Sequence, residues 1–242
     1  MTAELAEFDL EPPVVQLRHL LVWDRDPELR ARVAHTLRRH GHDVHTVAQC
    51  DDVDRCLDGH RPDLMVAGCS HMDDIEQVRR LRARFDGPML CYGANADARD
   101  RIELLSVGVD DVVPSPLSYE ELALRVQAVA RRSDVVTDET PRAVTCGSVT
   151  ADRGTHQVHL RGEWIQLTAV EFSLLAFLMS SPRVAYTRRD LLRQVWGYEI
   201  GDTSTVSVHI RRLRRKLEQD ATRPEMIRTV WGSGYYFDPA AS

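Results

Sequence analysis

The chain has no run of 18 apolar residues, the minimum for an ordinary membrane-spanning helix, so no contact with a bilayer interior is expected. Its opening residues, MTAELAEFDLEPPVVQ, are acidic and lack the basic start of a secretory leader. Cysteine is scarce: Cys50, Cys56, Cys69, Cys91 and Cys146 form an odd number at irregular spacing, with no C-x-x-C pair. That usage predicts a reduced, cytoplasmic protein with neither a disulfide framework nor a zinc site. His42 with His45 and His156 with His159 have no cysteine or acidic partner at ligand spacing, so they are expected to be scattered surface histidines. Glycine-rich phosphate loops, nucleophile–base pairs and metal clusters are also missing. The expectation is a protein that is not an enzyme and carries no cofactor and no metal.

One segment lacks charge of one sign. Thr203 to Leu217, TSTVSVHIRRLRRKL, holds five basic residues and no acidic one. Val206, Ile210, Leu213 and Leu217 recur at the spacing of one buried helical stripe. At about 100° per residue, Ser204, Val208, Arg211, Arg212 and Arg215 point the other way. A solvated helix ordinarily mixes both signs. An unmixed cationic face fits a polyanion, and such a helix fits the major groove of DNA. Whole-chain charge hides this. The formal net charge is −6, yet residues 144–242 hold 13 basic and 10 acidic residues, a net of +3. Residues 1–143 hold 18 basic and 27 acidic residues, a net of −9. Two domains with separate tasks are implied, the polyanion belonging to the second.

From residue 18 to 132, short apolar runs at 19–23, 43–47, 63–68, 88–92 and 110–113 alternate with amphipathic stretches at 27–40, 50–60, 72–85, 98–108 and 118–132. Five alternating strand–helix pairs predict an α/β, doubly wound, parallel five-stranded sheet with helices on both faces. Asp26 before Pro27 reads as a helix start, and Ser118 with Glu121 as a capping box. Residues 1–17 read as an acidic tail and 133–143 as a polar linker. From 144 to 242 the pattern changes to α+β. Antiparallel strands span 147–167, with turns at Asp152–Gly154 and Arg161–Gly162. Thr168 with Glu171 and Thr187 with Asp190 cap two helices, the basic helix follows, and the turn WGSG closes a final hairpin. Three helices and a hairpin are the ingredients of a winged helix-turn-helix, the hairpin being the wing.

The phrases LTAVEFSLLAFL, TRRDLLRQVWG, TVSVHIRRLRRKLEQD and IRTVWGSGYYF resemble the effector domain of the OmpR/PhoB family of two-component response regulators, and the chain resembles that family from about residue 18 onward. The resemblance implies a CheY-like receiver domain ahead of the winged helix. It implies a transcription regulator on double-stranded promoter DNA, binding direct repeats as a homodimer. It makes Val208, His209, Arg211, Arg212 and Arg214 DNA-facing, joining Ser204 and Arg215 from the helical wheel. In the wing, Trp231 replaces an arginine often found there, leaving Arg228 as the nearest cation. The loop 196–202 lies where the family contacts RNA polymerase. Arg101, Asp110, Asp111, Glu121 and Arg125 match charged positions of the receiver's dimerisation face.

Against the same pattern, the receiver's phosphoryl chemistry is missing. Acids that hold Mg²⁺, an aspartate that accepts phosphate, a hydroxyl and a lysine are needed there, because a carboxylate must attack an anion. The first strand ends in Asp24, Arg25 and Asp26, with Arg25 where a metal-ligating acid belongs. The acceptor position is Gly68, the hydroxyl position Gly93, the lysine position Ser115 and the switch aromatic Val112. Asp73 and Asp74 are expected outside the pocket, and Arg25 is expected to pair with Asp24 or Asp26. Regulation independent of aspartyl phosphorylation is the expectation. A small anionic ligand in the emptied pocket, or oxidation of Cys69 and Cys91, would be the alternative gates.

Overall fold

The computed structural model describes residues 18–59, 61–69, 73–93, 98–132, 142–198 and 202–240. The acidic tail, most of the linker and part of the 196–202 loop lie outside them. In the first domain, strands β1 (His19–Trp23), β2 (Asp43–Val47), β3 (Leu64–Gly68), β4 (Met89–Tyr92) and β5 (Asp111–Val113) form a wholly parallel sheet in the order β2-β1-β3-β4-β5. Helices α1 (Pro27–Arg39), α2 (Cys50–Gly59), α3 (Asp73–Arg84), α4 (Ala98–Val107) and α5 (Tyr119–Arg132) connect and follow the strands.

Alternation along the strands feeds two cores. Leu20 and Val22 of β1 pack with Val33 and Leu37 of α1 and Leu122 and Val126 of α5. Leu21 and Trp23 face the other way, toward Val53 of α2, Val78 of α3 and Leu104 of α4. Each such buried aliphatic contributes roughly 1.5–3 kcal/mol. Asp26 caps α1, accepting from Glu28 N at 2.8 Å and Leu29 N at 3.1 Å. Ser118 Oγ accepts from Glu121 N at 3.2 Å, but the Glu121 carboxylate turns to Arg125, so the expected reciprocal box is replaced by an i,i+4 ion pair.

The second domain opens on an antiparallel sheet of β6 (Ala143–Cys146), β7 (Val149–Asp152), β8 (Gln157–Leu160) and β9 (Glu163–Ile165). Its first strand begins at Ala143, inside the expected linker. Arg161 and Gly162 both have positive φ, 53° and 86°, the geometry of a tight two-residue hairpin turn. Helix α6 (Ala169–Ser180) and helix α7 (Arg188–Leu191), which runs on as a π-helical turn to Trp196, each start with the expected capping box. The basic helix is α8 (Ser204–Leu217), and β10 (Ile227–Val230) pairs with β11 (Gly234–Phe237) as the wing. Val206, Ile210, Leu213 and Leu217 enter the core with Leu174, Leu178, Leu192 and Trp196, as their spacing predicts. Among the described residues, no helix is long and apolar enough to cross a membrane, and no three His, Cys, Asp or Glu side chains are grouped to hold a metal.

Candidate DNA interface and receiver pocket

Helix α8 has three environments rather than two. The apolar stripe lies in the core. Opposite it, Arg211 and Arg215 are exposed and Ser204 is half-buried. The flank between them lies on the first domain. Val208 packs against the receiver core beside Val107, and His209 is fully buried, its ring edge-on to Trp196 at 5.1 Å.

Arg212 was expected on the DNA face, yet it is only 9 % exposed. Its Nη1 donates to the carbonyls of Leu105 at 3.3 Å and Val109 at 3.2 Å, at the C-terminal end of α4. A cation is favoured there by the helix dipole and its unsatisfied carbonyls. Its Nε lies 2.8 Å from Glu171 Oε1. Lys216 Nζ reaches Glu171 Oε2 at 2.6 Å. Burial raises the Glu171 pKa, but Arg212 and Lys216 outweigh it and hold the carboxyl below its ordinary value. Arg214 is also diverted: its Nε and Nη2 donate to Ile227 O at 2.9 and 2.6 Å, and Nη2 to Thr229 Oγ1 at 2.7 Å, bracing α8 on the wing. Of the five cations, Arg211 and Arg215 alone have no such partner among the described residues. On the wing itself, Trp231 is 92 % exposed and Arg228 lies 3.9 Å from Asp238.

The charged positions expected on a dimerisation face are largely engaged within the chain. Asp110 and Asp111 are buried, not surface charges. Asp110 Oδ1 accepts from Thr168 Oγ1 at 3.0 Å, its carbonyl accepts from Trp196 Nε1 at 3.1 Å, and its carboxylate lies 3.7 Å from Arg82. Burial pushes its pKa up against the pull of Arg82 and Arg212. Arg101 pairs with Asp202 across the domain boundary. Arg125 binds Asp111 at 2.8 Å and Glu121 at 2.6 Å, and its guanidinium lies 4.3 Å from the Tyr198 ring centre. A receiver carbonyl, a buried receiver aspartate and an arginine of α8 thus close one seam. Thr168, Glu171, Trp196 and Asp202 were not singled out by sequence reasoning as partners in it. Glu171 carried a signal only as a capping residue.

At the receiver pocket, Asp24 is buried and occupies the space beside Gly68. A β-carbon on Gly68 would stand 2.3 Å from Asp24 Oδ2. Tyr92, which sequence reasoning missed, donates to Asp24 Oδ2 at 2.5 Å, and Asp26 N donates to Oδ1 at 2.8 Å. Burial raises the Asp24 pKa despite these donors. Arg25 does not pair with Asp24 or Asp26 as expected. It lies 3.5 Å from Asp74, which is buried rather than outside the pocket and near enough that its charge also raises the Asp24 pKa. The Asp73 side chain lies outside the description. Gly93 takes a positive φ of 81°, Ser115 precedes a cis proline, and Val112 is buried. Cys69 and Cys91 are both buried, and the Cys91 thiol and burial hold Cys69 well above its ordinary pKa, which opposes thiolate chemistry. His42, expected on the surface, is buried, and burial lowers its pKa.

Residues 162–237 match the family described as "Transcriptional regulatory protein, C terminal". The chain is 37% identical over 225 residues to the DNA-binding response regulator MtrA of Mycolicibacterium smegmatis, covering 92% of this chain and 97% of that protein. It is 36% identical to the phosphate regulon transcriptional regulatory protein PhoB of Rhizobium meliloti, covering 90% and 98%. Among solved structures, a mutant of RitR superposes with a TM-score of 0.70 at 25% identity, covering 91% of this chain and 99% of that one. With a parallel receiver-like sheet, a winged helix and near-full-length relatives, the chain belongs to the OmpR/PhoB family of DNA-binding response regulators.

Proposed function

We propose that this chain is a sequence-specific transcription regulator that binds double-stranded promoter DNA without an aspartyl-phosphate switch, and that it is not an enzyme. The observation that carries the reading is the seating of Asp24 against Gly68. The acceptor position has no side chain, and the neighbouring carboxylate, bonded to Tyr92, fills the space an acceptor would need. The same contact argues against a ligand in that pocket. Residues 18–132 act as a degenerate receiver and 144–242 as the DNA-binding domain, in the cytoplasm.

Ser204, Arg211 and Arg215 face DNA, and Val208, His209 and Arg212 join them only to the extent that the receiver leaves α8. The closed seam is therefore the resting form with lowered DNA affinity. Opening it exposes both the flank of α8 and the Arg101, Asp110, Asp111, Glu121 and Arg125 face, through which two copies pair on direct repeats. Trp231 and Arg228 of the wing lie against the sugar–phosphate backbone, and the 196–202 loop meets RNA polymerase. Treating the full chain with acetyl phosphate or beryllofluoride and Mg²⁺ tests the reading. Affinity for a duplex selected from random sequence should not change, and a tenfold gain would refute it.

A further inference from the structure

The seam leaves a cleft of about 800 Å³, within the size range of small-molecule sites. Its walls come from both domains. The receiver supplies Arg82 and Asp86, and the DNA-binding domain supplies Trp164, Arg212, Arg215 and Lys216. Trp164 on β9 is 57 % exposed and belongs neither to the core nor to the outward face of α8, so the unliganded chain gives its indole no use. The donors beside it are incompletely spent. Arg215 has no hydrogen-bond or ion-pair partner among the described residues, and Lys216 donates to Gln166 O and Glu171, leaving one of its three N–H groups. Arg82 contributes charge to the wall and no free donor: its Nη1 is buried 3.7 Å from Asp110, and its Nη2 donates to Gly87 O at 2.8 Å and to Phe85 O. Of the acids, Glu171 is already held by Arg212 and Lys216, and Asp86 accepts from Gln166 at 2.9 Å.

We infer that this cleft binds an aromatic monophosphate, a planar ring system carrying a phosphate, and that the ligand holds the domains closed. The indole offers a stacking face for the ring, and the Arg215 guanidinium and Lys216 ammonium supply charge-assisted donors to the phosphate oxygens. A dianion is favoured over a neutral ring because Arg215 is unspent and Lys216 keeps one N–H group, and over bare phosphate because Trp164 would contribute nothing to it. Both walls meet only in the closed form, so the ligand binds that form alone. It must then weaken DNA binding, and DNA must weaken the ligand by the same factor. The inference rests on the proposed closed resting state.

The test uses the full chain and AMP, GMP, adenosine and inorganic phosphate as probes in titration calorimetry. AMP or GMP should bind one to one, with adenosine and phosphate at least about tenfold weaker. Trp164→Leu should weaken the nucleotide at least about tenfold while leaving DNA affinity without nucleotide unchanged. At ten times its Kd the nucleotide should lower the DNA affinity of the closed chain about tenfold, and Trp164→Leu should remove that effect. Absence of binding by both nucleotides up to about 5 mM overturns the inference, as does binding that Trp164→Leu leaves intact. Binding without any change in DNA affinity overturns the gating. Calorimetry needs no DNA, so failure of the DNA-binding reading would show separately, as no duplex being retained by the unliganded chain.

Discussion

Replacing Arg101 separates two uses of the same surface by the sign of the effect. Within the chain, Arg101 pairs with Asp202 just ahead of α8, the two side chains being 17 % and 36 % exposed. A pair this accessible is screened by solvent and contributes about 0.2–1 kcal/mol to closure. Arg101→Ala removes it without touching either core, and Asp202 keeps its bond to Ser204 N at 2.9 Å. Arg101→Glu sets a like charge against Asp202 and adds a repulsion of similar size. Apparent affinity is the open-state affinity multiplied by the open fraction, so while the closed form dominates each 1.4 kcal/mol lost from the seam raises DNA affinity about tenfold. Arg101→Ala should bind a selected duplex about 2–5-fold tighter and Arg101→Glu roughly tenfold tighter, by fluorescence anisotropy at nanomolar protein. The radius of gyration in solution scattering should grow in the same order. If the charge reversal binds DNA no better than the natural chain, the seam does not restrain α8. If it binds more weakly, the loss of Arg101 from pairing between two copies outweighs the opening of the seam.

Three further outcomes follow from other parts of the molecule. Arg211→Ala and Arg215→Ala should each either lower the slope of log affinity against log salt by about one, marking a phosphate contact, or relax sequence preference, marking a base contact; a variant that does neither removes that residue from the DNA face. Gly68→Asp should remain unphosphorylated by acetyl phosphate and lose about 1–3 kcal/mol in urea titration, since its β-carbon must displace Asp24 from Tyr92, and stable phosphorylation of the new aspartate would contradict the packing. His42 is buried and its pKa is lowered by burial, so the unfolded chain binds a proton that the folded chain refuses; stability should fall as pH drops below about 6.5, and His42→Leu should flatten that fall.

Most elements of both domains were legible because their signals are local; β6 (Ala143–Cys146), which starts in the expected linker and precedes the strands expected from residue 147, was not. Strand and helix bounds fall within a residue or two of the apolar runs, and the boxes at Thr168 and Thr187 form as spelled. The receiver-side seam was not legible, because a hydrophobic stripe sorts a helix into inside and outside only. Val208, His209 and Arg212 are outside the local core and still inside the molecule. Nor does counting cations show how they are spent: Glu171 takes Arg212 and Lys216, and Ile227 O takes Arg214. Asp110 and Asp111 were expected on an exposed dimerisation face because they match charged positions of the family, and both are buried. Their partners, Thr168, Trp196 and Arg82 for one and Arg125 for the other, lie between 14 and 86 residues away along the chain. The filling of the receiver pocket depends on Tyr92, a residue that alone signals nothing beyond a buried strand.

The seam and the proposed dimer contact use one surface, and this has a consequence for how such a regulator responds. In the closed chain Arg101 is held by Asp202 and Asp110 by Thr168 and Trp196, while Asp111, Glu121 and Arg125 satisfy one another beneath Tyr198. Glu121 is already accessible, but on this reading a second copy can reach Arg101, Asp110 and Arg125 only after the DNA-binding domain has left them, and that departure also uncovers the flank of α8. Dimerisation and DNA binding then draw on a single opening equilibrium, and each favours the other by mass action. Once one subunit of a pair is seated on its repeat, the second binds at the high effective concentration set by the dimer. On the proposed reading no phosphoryl group is needed for a steep response: raising the chain's own concentration pulls the open form into dimers, and anything bound across the closed seam opposes that pull.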